Sequence, residues 1–545
     1  MKDKNQRLRV QGLVRALGEN EAVLHQRAAK KLGVALDDIV SVELVKRSMD
    51  ARKRPHYICN VDVVLREPLK VLPNEVMECP DPATLSPRVF HPRRKDRVVV
   101  IGAGPAGLFC AHRLAAAGLK PVLLDRGEPV EIRGRHVSAL MHKGELREDS
   151  NICFGEGGAG TWSDGKLYTR VNDVRVRHVL ETIVELGGPP EILVEGKPHL
   201  GTDRLVALCK SFRSQLIGEG CEVRFGAFVK DFVIDKTVAG DVVSGVVLRD
   251  GEVIECDRVV MAVGHSAREM YRWMAGRGVS MVQKPFAVGF RVEHEQQLIN
   301  QIQYGRWAGL EDLPTADYRL AANFGEGDAR KGVYSFCMCP GGQVVPSPTM
   351  PGHICVNGMS HASRKGHWAN SALVVTVEPG DFGKFGDIPE LGDFDGMLDG
   401  MAFQLEAERR AYELGGGGFI APAQSVPDFI AGKASTEVRK STYKPGVAPA
   451  DLSSCYPDFV IDLLKAGIKR FERTLPGFIS ETALLIGVET RTSAPIQVTR
   501  DRDTLRSLSL SNLYPAGEGA GYGGGIVSAA IDGLKVAETI LSELE

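Results

Sequence analysis

The sequence has no long uninterrupted hydrophobic run and no disulfide-type cysteine pattern. Its longest apolar stretch, residues 98–119, contains several glycines and a proline, which predicts a strand, a turn and a helix rather than a membrane span. The eleven cysteines are odd in number and irregularly spaced, and the polar start MKDKNQRLRV shows no secretory signal. We therefore expect a cytoplasmic protein with reduced thiols.

The sequence also has no excess of either charge. Lys and Arg number 67 and Asp and Glu 69, so the formal net charge is −2 and no whole-protein field attracts nucleic acid or a membrane surface. Glycine is abundant, with 61 residues, which predicts many tight turns and close approaches of the backbone to a ligand. The 545 residues allow two or three domains.

The N-terminal part predicts a small ferredoxin-like β-α-β-β module. The pattern indicates a strand, a helix and two strands over residues 8–14, 19–32, 40–47 and 56–65. The basic segment KRSMDARKR between the last two strands allows two interpretations: a docking surface for nucleic acid or an acidic partner, or a solvated turn with ion pairs to the main body. We favour the second. The proline-rich residues 66–96 predict a linker, so the module with its linker takes residues 1–90.

A dinucleotide-binding pattern begins at residue 97. Gly102, Gly104 and Gly107 form G-x-G-x-x-G, with Pro105 and Ala106 between them, directly after an apolar strand and at the start of a helix. The first glycine permits the tight turn, the second lets the backbone approach a pyrophosphate, and the third lets helix and strand pack closely. Asp125, followed by Arg126, ends the next strand, where a carboxylate accepts hydrogen bonds from ribose hydroxyls.

A second glycine loop, FGEGGAGTWSDGKL at residues 154–167, points to FAD as the dinucleotide. FAD is longer than NAD, and bare N–H groups in this loop could line its pyrophosphate and ribityl chain. The expected contacts here are Gly157, Gly158, Ser163 and Lys166. Further contacts are expected from Val229 and, in the segment VVMAVGHSA, from Ala262 and Gly264.

These segments resemble those of the two-dinucleotide-binding-domain flavoproteins, which have a glutathione-reductase-like FAD fold. From about residue 8 to 540 the chain resembles the bacterial family called uncharacterised FAD-dependent dehydrogenases, through CMCPGG, NGMS, GVETRTSAPI and YPAGEGAGYGGGIVSAA. Two positions differ from the wider flavoprotein pattern. Asp125 stands where Glu is usual, and Glu518 follows Gly517 where Asp is usual, so each carboxylate is kept.

The resemblance implies that the last βα unit returns to the nucleotide domain and closes over the same FAD. Glu518, after Gly517, would accept from a ribityl hydroxyl. Gly524 and Gly525 would let the helix that begins at Ile526 direct its N-terminus at the pyrimidine edge of the flavin. The two glycine loops would then serve one ligand.

The predicted fold is α/β, or α+β overall, with a Rossmann-like FAD-binding domain formed by residues 97–266 and 481–545. An antiparallel β/α substrate domain, residues 267–480, is inserted into it. No second strand-GxGxxG-helix is found in residues 130–480, so NAD(P)H is expected only as a transient co-substrate. No motif indicates covalent attachment, so FAD is expected to be non-covalent.

Several thiols and imidazoles are candidates for reactive groups. Cys337 and Cys339 are expected to project from opposite faces of a strand and to be structural rather than a redox pair, and Cys153 to be a buried inert thiol. His353, His361 and His367 lie near Cys355 in the sequence, but their spacing matches no closed zinc site, so no metal is expected.

Arg491 is the preferred contact for an anionic substrate or the reduced flavin, and an internal salt bridge is the equal alternative. It lies two positions after Glu489, on what we expect to be a strand that ends at the flavin. No catalytic acid or base can be identified. The sequence also leaves the oligomeric state open.

The leading functional hypothesis is an FAD-dependent oxidoreductase that transfers hydride between an unidentified small molecule and FAD. Two alternatives remain. One is an RNA-associated flavoprotein that uses the basic N-terminal module, and the other is a thiol–disulfide reductase that uses Cys337 and Cys339.

Overall fold

The computed structural model describes residues 5–79, 88–238, 240–327, 330–383, 385, 388, 391 and 394–545. Its α-helices are Val23–Leu32, Pro105–Ala116, Val130–Lys143, Arg175–Glu185, Thr202–Gly218, Arg268–Gly276, Gln296–Tyr304, Pro379–Phe382, Asp399–Leu414, Val426–Ala431, Asp458–Thr474 and Ile526–Leu544. No helix in these ranges is long and apolar enough to cross a membrane. The residue pattern predicts a helix over residues 392–414; in the structure the helix begins at Asp399, and residues 392 and 393 lie outside the described part.

Five short parallel strands form the nucleotide-binding sheet. Their order is Leu513–Pro515, Arg258–Met261, Val98–Ile101, Val122–Leu124 and Glu222–Arg224. Successive side chains of a strand point to opposite faces, and both faces of this sheet are covered. Val98 and Val100 pack against helices, whereas Val99 and Ile101 pack on the side of the antiparallel strands Val229–Thr237, Gly240–Leu248 and Val253–Glu255.

A seven-stranded sheet forms the second layer. Its order is Ala321–Phe324, Lys331–Cys339, Trp368–Val377, Phe286–Glu295, Leu484–Glu489, Ala421–Ser425 and Val447–Pro449. All neighbours are antiparallel except the last two strands. Two short pairs accompany it, Gln343–Pro346 with Val356–Met359 and Met281–Gln283 with Ile496–Val498. Leu484–Glu489 thus pairs within this sheet, although the sequence assigned its residues to the closing part of the FAD-binding domain.

The N-terminal residues form a separate four-stranded antiparallel sheet in the order Ile39–Asp50, His56–Leu65, Gln6–Ala16 and Val76–Glu78. The predicted β-α-β-β order is present, with longer strands, and the helix begins at Val23 rather than residue 19. The short strand Val76–Glu78 lies in the predicted linker, so that linker is shorter than expected. Its residues 80–87 lie outside the described part.

The basic segment of this module contacts the rest of the chain. The N–H of Arg47 donates to the carbonyl oxygen of Val194 at 2.7 Å, and the N–H of Gly196 donates back to Arg47 at 2.8 Å. The Arg47 guanidinium lies 3.3 Å from a carboxylate oxygen of Glu195. These contacts agree with the interpretation of the basic segment as a turn that forms ion pairs with the main body.

Candidate functional site

One cavity of about 1160 Å³ runs between the parallel sheet and the seven-stranded sheet. All predicted site residues line it except Gly107 and Gly157. A drug-sized ligand typically occupies a pocket of roughly 300–1,000 Å³. The cavity therefore has room for an extended ligand. Residues of the first glycine turn, of the second glycine loop and of the C-terminal glycine loop contribute to its wall.

The first glycine turn fits a closely approaching phosphate. Gly102 has φ 104°, in the left-handed region that favours glycine, and a Cβ on Gly107 would overlap the carbonyl oxygen of Gly102. Gly107 therefore serves helix–strand packing. A Cβ on Gly104 would meet only the Cα of Gly158, at 3.8 Å, so a larger side chain there would extend into the cavity rather than into the protein.

Arg133 organises the second glycine loop, and the sequence analysis missed it. The Arg133 side chain is completely buried, and its guanidinium carbon lies 4.4 Å from the centre of the Trp162 ring. It donates to the carbonyl oxygens of Asn151, Ile152 and Gly158 at 2.8 Å, Gly155 at 3.1 Å, and Glu156. Burial lowers the pKa of Arg133 to about 10, so it stays charged at neutral pH. An isolated arginine on a helix carries no motif that could have revealed this role.

These contacts determine which way the loop's peptide groups face. A trans peptide is planar, with C=O and N–H on opposite sides. Because the carbonyl of Gly158 faces Arg133, the N–H of Ala159 points away from it, and Ala159 lines the cavity. The N–H of Gly157 instead donates to Ala103 at 2.8 Å and ties the second loop to the first turn. Gly157 thus has a structural role.

Asp125 and Arg126 are held by protein contacts at the cavity wall. The Asp125 carboxylate accepts from the N–H groups of Ala103 and Gly127, both at 2.8 Å. Asp125 therefore braces the first turn, and each oxygen keeps a further lone pair for a ligand hydroxyl. Arg126 lies 2.7 Å from Asp149 and also pairs with Glu269.

The C-terminal glycine loop reaches the same cavity. Gly525 has φ 101° and precedes the helix Ile526–Leu544, whose first N–H groups lack partners within the helix. Burial raises the pKa of Glu518 to about 7, and nearby Lys284 opposes the shift. The N–H of Gly517 donates to Asp532 at 2.8 Å, which fixes the loop to its own helix.

Arg491 belongs to a buried cluster of two arginines and one carboxylate. It donates to Glu408 at 2.9 and 2.7 Å, and Arg268 donates to the same carboxylate at 2.9 Å. Burial alone would raise the pKa of Glu408, but Arg268 and Arg491 hold it well below its usual range. The salt-bridge alternative for Arg491 is therefore present, and the cluster keeps one excess positive charge beside the cavity.

A second cluster of two cations and one carboxylate lies near the seven-stranded sheet. Lys166 lies 2.7 Å from Asp164, and the Arg364 guanidinium bonds the same carboxylate at 2.9 Å. Lys166 also donates to the carbonyl oxygen of Met338. Burial would raise the pKa of Asp164, but Lys166 and Arg364 lower it overall. This cluster also carries one excess positive charge.

The expectation that Cys337 and Cys339 project from opposite faces because of their spacing is wrong in its reasoning. Alternate residues of a regular strand share a face, so the spacing alone does not separate the two thiols. The strand is irregular here: its register shifts between Phe336 and Cys339, and Cys337 has φ 44°. Cys337 is exposed in the cavity whereas Cys339 is 1% exposed, and neither forms a disulfide.

The three histidines near Cys355 in the sequence contact other protein groups. His353 contacts the carbonyl oxygen of Pro351 at 3.0 Å, and His361 lies 3.8 Å from Asp203. Within the described part of the chain, no three His, Cys, Asp or Glu side chains are grouped so that they could hold a metal ion.

The parallel sheet, the glycine turn at a helix N-terminus and the shared cavity define a dinucleotide-binding protein. Residues 97–139 match the family profile of the FAD binding domain, and residues 285–492 match the profile "FAD-dependent protein, C-terminal domain-like". Residues 7–64 match a domain of unknown function. FAD is therefore the cofactor, and the residues present fit it: bare glycines, two helix N-termini and an elongated cavity.

The sequence relatives identify the family. An uncharacterised protein of Clostridium beijerinckii is 39% identical over 551 residues, which cover 99% of each chain. The chain belongs to this family of uncharacterised bacterial FAD-dependent proteins. A thiamine thiazole synthase of Methanococcus vannielii is 25% identical over 181 residues, covering 31% of this chain and 56% of that protein.

Solved structures show partial similarity. A mutant of the halogenase PltM in complex with FAD has 10% identity and a TM-score of 0.38, covering 83% of this chain and 70% of that one. THI4 from Thermovibrio ammonificans has 18% identity and a TM-score of 0.23, and the match covers 35% of this chain and 66% of that one.

Proposed function

We propose that the protein is an FAD-dependent oxidoreductase that transfers hydride between an organic substrate and non-covalent FAD. The observation that carries the proposal is the cavity itself. It continues from the glycine loops to Cys337 on the seven-stranded sheet and to Asn357 and Gly358 on the short strand Val356–Met359. FAD, when bound, supplies the hydride-accepting chemistry. The protein supplies binding, orientation and electrostatics.

The glycine loops would hold the two ends of one extended cofactor. Gly104 and Gly524 would leave space for it, and Glu518 would accept a hydrogen bond from a ribityl hydroxyl. The N-termini of the helices Pro105–Ala116 and Ile526–Leu544 supply positive potential for its phosphates and for the electron-rich edge of the ring. The backbone N–H groups of these helix N-termini are already oriented toward the ligand before it binds.

One feature favours a substrate position next to the sheet. The buried carboxylate of Asp164 lies there between Lys166 and Arg364, and this cluster carries one excess positive charge. A positive charge held in a poorly solvated place favours negative charge on a neighbouring group. Substrate would therefore enter between the sheet and the flavin-binding loops.

We also propose a revised domain division. The N-terminal module, an FAD-binding domain and an inserted antiparallel domain are kept. The strand Leu484–Glu489 moves to the inserted domain because it pairs there with Phe286–Glu295 and Ala421–Ser425. Phe90 moves to the FAD-binding domain because it is 6% exposed in that domain's hydrophobic core.

Anaerobic titration of the purified yellow protein tests the proposal. A panel of alcohols, amines, hydroxy acids and thiols is added, and bleaching of the flavin absorbance is followed. The proposal expects at least one class to reduce the flavin, with reoxidation on addition of an electron acceptor. If dithionite bleaches the flavin but no compound of any class does, then the oxidoreductase assignment is wrong for these substrates.

The exposed position of Cys337 in the cavity favours a specific second candidate, a thiol–disulfide reductase. Cys337→Ser and Cys339→Ser distinguish the two. Under the leading proposal both variants are reduced and reoxidised like the parent protein. Loss of reoxidation by disulfides in both variants would favour the thiol chemistry.

A further inference from the structure

The outer end of the cavity is formed by two chain segments, residues 168–171 and 317–323. The N–H of Leu167 donates to the carbonyl oxygen of Pro198 at 2.9 Å, and the neighbouring Lys197 pairs with Asp317 at 3.0 Å. These contacts bring the segments together at one side of the opening.

Two arginines at this end are unpaired. Arg170 and Arg319 both line the cavity and are exposed. Neither guanidinium has a hydrogen-bond or ion-pair partner among the residues that the structure describes. Asp317, the acidic residue at the start of the second segment, is already neutralised by Lys197. The outer end thus carries two uncompensated positive charges.

FAD does not account for these charges. The features that suit its phosphates are the glycine turns and helix N-termini of the parallel-sheet side, at Gly104 and Gly525. Arg319 instead precedes Ala321–Phe324, the edge strand of the seven-stranded sheet. Two unpaired guanidiniums at the opening suit the carboxylate or phosphate group of a second ligand, because the N–H donors of a guanidinium match those oxygens in pairs.

The wall next to the arginines is apolar. Tyr168 and Val171 are 43% and 42% exposed although their side chains are large and hydrophobic. Leu320, Tyr334 and Phe336 continue this surface into the cavity. An apolar wall with cations at its rim is the counterpart of a molecule that has an apolar body and an anionic end.

We propose that the outer end binds an organic anion whose carboxylate or phosphate lies on Arg170 and Arg319, with its apolar body directed inward along the sheet. The inference deepens the proposed function, on which it rests, by giving the class of the substrate.

The test uses the FAD-loaded full-length protein and a library of aryl and alkyl carboxylates and phosphate monoesters. Each acid is paired with its neutral amide or alcohol. Binding is followed by perturbation of the flavin absorbance and by thermal shift. We expect acids to bind at least about tenfold more tightly than their neutral counterparts, because a hydrogen bond to a charged group typically contributes that much to affinity. Comparison of the acids with the phosphates shows which head group the site takes.

Arg170→Gln and Arg319→Gln are each expected to weaken acid binding by at least about tenfold without changing FAD content. Arg204→Gln is the matched control, since Arg204 is exposed on the helix Thr202–Gly218 and does not line the cavity. The proposal is overturned if no acid of the library binds, if neutral compounds bind as tightly, or if both variants keep the parent affinity.

The outcomes separate this proposal from the oxidoreductase assignment. If acids bind as expected but none bleaches the flavin anaerobically, then the anion site stands and its role as substrate site is wrong. If a neutral compound bleaches the flavin and no acid binds, then the oxidoreductase assignment stands and the anion site is wrong.

Discussion

Gly533 packs so closely against Ala106 that a Cβ on Gly533 would overlap the carbonyl oxygen of Ala106. Ala106 belongs to the first turn of the helix that follows the N-terminal glycine motif, and Gly533 to the helix that follows the C-terminal one. This contact holds the two helices side by side with both N-termini at one cavity. The two motifs, some four hundred residues apart in the sequence, therefore meet through this helix–helix contact and through the parallel sheet that their strands share.

Arg133→Ala should abolish FAD retention, because the second glycine loop loses the cation toward which five carbonyl groups point. Removing the charged partner of a buried polar group typically costs about 3–5 kcal/mol. We expect a lower melting temperature and a low FAD-to-protein ratio. Arg135→Ala, on the exposed side of the same helix, is the control and should keep its FAD. A fully loaded Arg133→Ala protein would show that the loop needs no such support.

Arg491→Ala should bind FAD but disfavour its reduced form, since the buried cluster around Glu408 loses one of its two cations. The loss of one charged partner is worth about 1–3 kcal/mol, or roughly 20–60 mV for a two-electron couple. Redox titration of both proteins measures the change in midpoint potential. A folded variant with an unchanged midpoint would leave Arg491 with only a structural role.

The stability of the FAD-free protein should fall between pH 4.5 and 7 because of Glu156. Burial raises the pKa of this carboxyl to about 7, so the native state holds its proton where the unfolded state releases it. The protonated side chain therefore favours folding at low pH, and the advantage is lost as pH rises through about 7. The shift corresponds to on the order of 3 kcal/mol.

Melting temperatures across this pH range test the expectation. Glu156→Gln should flatten the decline, although Glu518, whose pKa is also raised to about 7 by burial, contributes a decline of its own. Glu145→Gln removes an exposed carboxylate and should leave the profile unchanged. Equal slopes in the parent and Glu156→Gln would contradict the assignment.

Deletion of residues 1–90 should leave a folded body that contains FAD, because the N-terminal sheet has its own hydrophobic core. Deletion of residues 1–87 should give a more stable product, since it keeps Phe90 in the core of the FAD-binding domain. Loss of a buried Phe costs about 3–5 kcal/mol. Melting temperature and FAD content compare the two proteins. Insoluble or FAD-free protein in both cases would show that the module is required for folding.

The sequence predicted local features better than long-range contacts. The glycine motif, its strand and Asp125 could be placed because their spacing is set within one βαβ unit. Glu408 and Arg364 could not be linked to Arg491 and Asp164, since tertiary packing alone brings these partners together. The sequence could not show that the strand Leu484–Glu489 pairs in the seven-stranded sheet, because a short apolar run does not indicate which sheet it joins.

FAD content after matched substitutions tests most directly whether the N-terminal glycine turn, which contains Gly104, and the C-terminal glycine loop, which contains Gly524, bind one FAD. In Gly104→Leu and Gly524→Leu the new Cβ meets only ordinary contacts, at 3.8 and 3.9 Å, so each side chain should fill the cavity without unfolding the protein. Gly218→Leu is the control, at an exposed glycine with open space around its Cβ. We expect about one FAD per chain in the parent and the control and almost none in either loop variant. A folded Gly524→Leu protein with full FAD content would contradict the claim, since the C-terminal loop would then serve a different ligand.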